Sequence, residues 1–284
     1  MLVHYLNLWV AYEKNTRIFC YAAALILLIL WEQFSPRRDS KFPGVLRWPH
    51  NILLFGINSF MIRSLFLGSG LWAAHLAENS HFGLFHWFQV PLLFSMIFTA
   101  VFLDWVFYYQ HRAFHFFSLF WRIHRTHHTD LELDVTTGFR FHPLEALASM
   151  ILRSFWIVML GAPLEGVLFF EIALNLSLYF NHANVRIPDS LEKVLRLLFV
   201  TPEMHRVHHS ANPAEADSDF GFILSIWDRL QGTYKGVPKK SVEKMELGLE
   251  PFRDPKFMQI RALLQTPFLD RKGHFDWMNL FKDP

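Results

Sequence analysis

The stretch WFQVPLLFSMIFTAVFLDWVFYYQHRAFH, residues 87 to 115, decides how this chain is read. From Trp87 to Tyr109 it is apolar, interrupted only by Gln89, Pro91 near its start and Asp104. That run meets the roughly 20 residues a bilayer-spanning helix requires. It then ends on His111 and His115, which share a face if the helix continues. A membrane helix that carries imidazoles to the bilayer boundary is the unit from which the rest of the reading proceeds.

Composition agrees. Of 284 residues, 52% are apolar, 17% aromatic and 18% charged, whereas an average soluble domain has roughly 25% charged residues. Basic and acidic residues number 27 and 25, a balance that excludes a nucleic-acid binder relying on phosphate neutralisation. The single cysteine, Cys20, lies in an apolar run, so no intrachain disulfide or cysteine cage can form and any metal must be held by nitrogen and oxygen. Lys14 and Arg17 precede a hydrophobic run with no small-residue cleavage site after LILLILWEQF, which reads as an uncleaved anchor.

Three further stretches are apolar enough to enter a bilayer. Ile18 to Trp31 is short, with Arg17 and Glu32 able to snorkel from its ends. Asn51 to Ala77 carries Arg63 and reads either as a tilted span or as a span followed by an interfacial helix. Leu144 to Phe180 is too long for one span and breaks at Gly161-Ala162-Pro163, which predicts a helical hairpin. The loop from Glu32 to His50 holds Arg37, Arg38, Lys41 and Arg47, while that from Glu78 to His86 holds no Lys or Arg. The excess of positive charge places the first loop, and with it His111, in the cytoplasm. The expected fold is all-α: an integral, multi-pass membrane bundle with a cytoplasmic helical cap.

Ten of the 16 histidines, at 111, 115, 124, 127, 128, 142, 182, 205, 208 and 209, fall between Trp87 and the charged tail. Two of the segments repeat one phrase, HRTHH at 124–128 and HRVHH at 205–209. In helices each copy puts three imidazoles on one face, and Pro202 suggests that the second copy opens its helix. Packing several imidazoles together without a metal leaves donors or acceptors unpaired at roughly 1–3 kcal/mol each. His4, His50, His75, His81, His86 and His274 read as ordinary polar residues. No HExxH zinc-protease motif occurs, and eight or more ligands exceed one tetrahedral zinc. Two metals fit the count, side by side, each copy of the phrase bringing three imidazoles on one face and His111, His115 and His182 completing the shells.

HRAFH, HRTHH and HRVHH resemble the histidine boxes of the fatty acid hydroxylase and sterol desaturase superfamily of membrane di-metal oxygenases. DWVFYYQHRAFH, RIHRTHHTDLELDVTTGFRFHPLE, FNHANVRIP, TPEMHRVHHS and WDRLQGT resemble family segments in family order, from about Asp104 to Tyr234. FNHANV supplies one histidine, His182, where some members supply a pair. The resemblance implies two iron ions per chain, activation of O2, and attack on a C–H bond of an apolar lipid from the bilayer, giving a hydroxyl or a double bond. It also implies residues 1–86 as N-terminal anchor helices, 87–235 as the catalytic domain and 236–284 as a cytoplasmic tail.

Imidazole suits iron but also zinc, which can replace it on isolation. With no G-x-G-x-x-G fingerprint and no haem-attachment motif, electrons must come from an external electron-transfer protein. Metal-bound imidazoles donate their second N–H to carboxylates or carbonyls. Asp104, two turns before His111, is a candidate for that role or for pairing helices, since an acid at that depth is costly unless partnered. His142 is a candidate ligand or a partner of Glu145, and Asn184 could hold a metal-bound water. Asp130 and Asp134 fit capping as well as orientation, and Tyr108 fits the core. Two other classes stay open: a His-lined membrane metal transporter, and a catalytically silent lipid-binding relative.

Overall fold

The computed structural model describes residues 12–66, 70–270, 273–276 and 278; His4 lies outside them. Among these residues every regular element is helical, and β pairing is confined to four isolated bridges. Among the described residues, eight helices run through the first two thirds of the chain: α1 (Glu13–Phe34), α2 (Trp48–Phe66), α3 (Leu71–Ser80), α4 (Leu84–Trp87), α5 (Leu92–Phe116), α6 (Ser118–His128), α7 (Pro143–Leu160) and α8 (Leu164–His182). Short helices follow: α9 (Asp189–Leu195), α10 (Pro202–His208), α11 (Pro213–Ala216), α12 (Ile226–Gln231) and α13 (Ile260–Gln265).

Among the described residues, four segments are long and apolar enough to cross a membrane: Glu13–Phe34, the stretch Trp48–Trp87, Leu92–Phe116 and Pro143–Leu160. Among the described residues, the Asn51 to Ala77 stretch contains most of α2 and part of α3. At about 1.5 Å per residue α5 is roughly 38 Å long, more than the roughly 30 Å of hydrocarbon, so its last turns with His111 and His115 emerge at one pole. Phe117 is extended and breaks the helix, and α6 folds back against α5.

The expected hairpin is present. Gly161, left-handed at φ 65°, closes α7, and Pro163 opens α8, the glycine-after and proline-before asymmetry of helix ends. The turn between α3 and α4 packs on this tip so closely that a Cβ on Gly83 would lie 2.2 Å from the Gly161 nitrogen. Helix α8 forms the centre: Val167, Leu168, Phe170 and Leu174 bury against Leu103 and Phe107 of α5, Ile157 and Leu160 of α7, and Ala73 and Ala74 of α3. Phe19, Leu27, Phe94, Ile97 and Phe155 point outward and exposed, as helices solvated by lipid require.

The opposite pole carries the histidines and is closed by loops, short helices and the segment beyond Lys235. Buried charge ties it together. Arg47, 1% exposed, reaches Asp130 at 2.9 Å and Asp134 at 2.6 Å, and Glu32 accepts from the Val135 and Asn184 backbone. Arg122 and Arg125 of α6 donate to the Leu269 carbonyl, so part of the C-terminal tail is packed onto the cap. Asp134 accepts from Thr136 N in a capping box, and Asp130 accepts from Arg47 and Thr137. Both acids therefore hold loops.

Candidate metal centre

Three local features aim the imidazoles inward. Helix α5 overruns the apolar span and presents His111 and His115 one turn apart. His142 precedes Pro143 and caps α7, leaving the bend before it free to bring Glu145 under α6. Thr201 caps α10 through its hydroxyl and Pro202 fills the first turn, so His205 and His208 lie on a helix, as the proline suggests, with His209 capping it.

Nine histidines converge in two groups whose ligand atoms lie within 4.8 Å of one another: His111, His115, His124, His128 and His208 in one, His127, His182, His205 and His209 in the other. The repeated phrase is not assigned one copy per group. HRTHH gives His124 and His128 to the first group and His127 to the second, while HRVHH gives His205 and His209 to the second and His208 to the first. Helical geometry explains the split. At about 100° per residue the first and fifth positions of the phrase are some 40° apart, whereas the fourth and fifth are about 100° apart. The i,i+4 pair converges on one point and the intervening histidine turns to the other.

Five of the nine imidazoles have a partner at the second ring nitrogen, whereas the buried Nδ1 atoms of His127 and His205 have none among the described residues. His111 Nδ1 donates to Phe220 O at 2.8 Å, His208 Nδ1 to Ser218 O at 2.9 Å and His182 Nδ1 to Leu178 O at 2.6 Å. His124 Nδ1 donates to Glu145 Oε1 at 2.7 Å, and His115 Nδ1 to Asp217 Oδ1 at 3.2 Å. A neutral imidazole with its proton on Nδ1 carries a lone pair on Nε2. Yet His111 Nε2 and His124 Nε2 face each other at 3.1 Å, two lone pairs with no proton between them, and the buried His208 Nε2 has no partner among the described residues. Other imidazoles of the two groups are held neutral. Burial first, and then neighbouring imidazoles, hold His127, His128, His205 and His209 well below the ordinary histidine value, and burial followed by His124 holds His208 at about 3. A cation is what the arrangement lacks.

Spacing supports the same fit. The closest Nε2 pairs lie 3.1–3.2 Å apart in the first group and 2.9–3.2 Å apart in the second, and all ligand atoms of a group lie within 4.8 Å of one another. Metal–nitrogen bonds of roughly 2.1 Å separate two nitrogens by about 3.0 Å at a right angle and about 3.4 Å at the tetrahedral angle. The closest pairs fall in about this range, as nitrogens that share one ion would.

The remaining candidates lie elsewhere. His142 is outside both groups: its Nδ1 accepts from Leu144 N and its Nε2 donates to Leu264 O. Asn184 bonds the Arg38 backbone and Arg206. Asp104 does not reach His111; it accepts from Ile223 N, Leu224 N and Trp227 Nε1 at 3.1, 3.1 and 2.8 Å. It thereby anchors the loop whose Phe220 carbonyl holds His111. Tyr108 bonds Thr233. Asp217 and the carbonyls of Leu178, Ser218 and Phe220 were not foreseen; a carbonyl is common to every residue and leaves no sequence signal.

A cavity of about 680 Å³ runs from this centre into the bundle, with His111 and Glu145 at its inner end and Phe107, Phe139, Met150 and Leu174 along its walls.

Comparison with known proteins is consistent with this geometry. The fatty acid hydroxylase family profile matches residues 96–233, a segment that holds all nine histidines. An ornithine lipid hydroxylase, OlsE, of Rhizobium tropici is 34% identical over 198 residues, covering 70% of this chain and 56% of its own. The alkylglycerol monooxygenase of Homo sapiens is 27% identical over 275 residues, covering 96% and 59%. This chain thus spans somewhat more than half the length of these relatives. No solved structure matches. On the ordered histidine segments, the matched profile and these relatives, the chain belongs to the fatty acid hydroxylase and sterol desaturase superfamily.

Proposed function

We propose that the chain is a membrane lipid hydroxylase that holds two iron ions and uses O2 with electrons from an external protein. The observation that carries this reading is the pair of lone pairs on His111 and His124, 3.1 Å apart at the end of an apolar cavity. It supports metal held where a lipid chain can arrive. The first ion would be held by His111, His115, His124, His128 and His208, and the second by His127, His182, His205 and His209. Five nitrogens exceed a tetrahedral zinc site, which favours iron; iron supplies redox chemistry toward O2 when bound.

The chain's own residues orient and shield. Glu145 holds the His124 tautomer from the cavity side, and the Phe220 and Ser218 carbonyls do the same for His111 and His208. Asp104 positions the loop that carries those carbonyls. Burial of eight of the nine histidines, with His115 partly buried, restricts water at the centre. Residues 87–235 form the catalytic unit on this reading, 1–86 anchor it and the segment from 236 covers it. Hydroxylation is favoured over desaturation because the relatives are named as a hydroxylase of ornithine lipid and a monooxygenase of alkylglycerol. The loop of Arg37, Arg38, Lys41 and Arg47 lies on the histidine side, where Arg37 N donates to Asn184 O. By the positive-inside rule that side faces the cytoplasm.

The test combines metal analysis with lipid profiling of cells with and without the chain. The expected result is two metal ions per chain, iron when purified without chelators, and an oxygen-containing lipid that appears only with the intact protein. Unchanged lipids together with metal-free protein would overturn the reading.

A further inference from the structure

The end of the cavity away from the histidines is charged. Arg153 lies eight residues beyond Glu145 on α7, roughly 12 Å further along, and Glu171 lies eleven before His182 on α8, roughly 16 Å away. Around them stand Arg17 and Lys14 of α1 and Arg63 of α2, all lining the cavity. Arg17 pairs with Glu13 at 2.7 Å and with Glu171 at 2.5 Å, and Arg153 with Glu171 at 3.3 Å. No carboxylate of the described residues pairs with Lys14 or Arg63. Four cations thus face two carboxylates, Glu13 and Glu171. Arg153, 14% exposed, keeps a buried Nε without a partner, and Asn58 Oδ1 on the cavity wall is likewise unpartnered.

Ionisable side chains at such a depth in a membrane protein are costly and mark ligand sites unless they cancel. Here they leave positive charge over, at the far end of an apolar passage from the metal centre. Building on the proposed hydroxylase, we infer that this end is an anion subsite: Arg153 and Arg63, with Lys14, bind the carboxylate or phosphate of a lipid whose chain runs toward His111. The subsite then acts as a ruler. It fixes how far along the chain the carbon beside the five-histidine group lies, and it leaves Glu171 to hold Arg17 and the Gly70 N–H, which donates to it at 2.8 Å.

The experiment measures equilibrium binding to the purified full-length protein in detergent, without reductant so that no turnover occurs. Three probes are used: palmitate (chain and charge), hexadecanol (chain alone) and acetate (charge alone). A charge-assisted contact made by palmitate alone predicts tighter binding than hexadecanol by about tenfold or more, with acetate not competing. Arg63→Gln with Arg153→Gln should bring palmitate to the affinity of hexadecanol and leave hexadecanol unchanged. Thermal unfolding and metal content check that the double variant is folded. Should it not fold, Arg63→Gln alone, an exposed position, is expected to lower palmitate affinity only. Equal affinities for palmitate and hexadecanol in the unaltered protein, a preference that survives the substitutions, or acetate competing as well as palmitate would overturn the subsite. A subsite that behaves as described in a protein that oxidises no lipid would instead sink the hydroxylase reading.

Discussion

Glu145→Gln separates the two metal positions. The Glu145 carboxylate accepts from His124 Nδ1 at 2.7 Å, with the side chains 6% and 1% exposed. Hydrogen bonds to charged groups contribute about 1.5–3 kcal/mol, roughly twice a neutral bond. An amide of the same shape can still accept through its oxygen, so about 1–2 kcal/mol of ligand orientation is lost. At about 1.4 kcal/mol per factor of ten, the ion held by His124 should bind some 5- to 30-fold more weakly. That range overlaps the 10- to 100-fold typical of residues behind a metal ligand. The four-histidine group has no contact with Glu145 and serves as an internal control. Chelator titration followed by metal analysis should show one ion per chain released at lower chelator concentration in Glu145→Gln, with the second unmoved. Parallel loss of both ions, or a curve identical to the unaltered protein, would refute the division of histidines into five and four.

Other substitutions test separate parts of the structure. His127→Ala removes one of four nitrogens from the second group and should lower metal content by about one ion per chain and abolish hydroxylase activity, whereas His81→Ala and His274→Ala should change neither, as metal analysis and product assay will show. Asp104→Asn takes the charge from three hydrogen bonds that anchor the loop at 223–227; a stability loss of about 1–3 kcal/mol is expected, seen as a lower unfolding temperature, with activity reduced through His111 and metal partly retained. Single cysteines at the exposed Ser40 and Lys240, in a Cys20→Ser background, should react with an impermeant label from one side of the membrane, and a cysteine at exposed Ser80 from the other. Labelling of Ser40 and Lys240 from opposite sides would contradict the placement of the cap.

Much of this was legible in the sequence because it follows from local rules. The length of Leu92–Phe116 against a bilayer, the break at Gly161 and Pro163, and the start of α10 at Pro202 each depend on a few adjacent residues. The histidines were legible as metal-binding because their number and spacing have few other uses. What was not legible depends on partners distant in the chain. Asp104 is two turns from His111 and could have faced it, but its carboxylate lies where the loop at 223–227 offers three donors. His142 reads as well for a ligand as for a helix cap until Leu264, far along the tail, is seen opposite its second nitrogen. The tail reads as charged and cytoplasmic, but nothing in its sequence says that buried Arg122 and Arg125 bind its carbonyls at Thr266 and Leu269.

The repeated phrase shows most clearly where local reading stops. Spacing within one helix establishes that His124, His127 and His128 share a broad face; it says nothing of where along that face an ion sits. That is set by the second helix. Because each copy divides two and one, α6 and α10 each reach both histidine groups, and the split is reciprocal: the pair from one copy meets the single histidine of the other. A slip of one residue in either helix, about 100° of rotation, would turn all three of its imidazoles away from both positions together. The two copies therefore fix the register between α6 and α10 as well as supplying ligands, which accounts for the same spacing appearing twice.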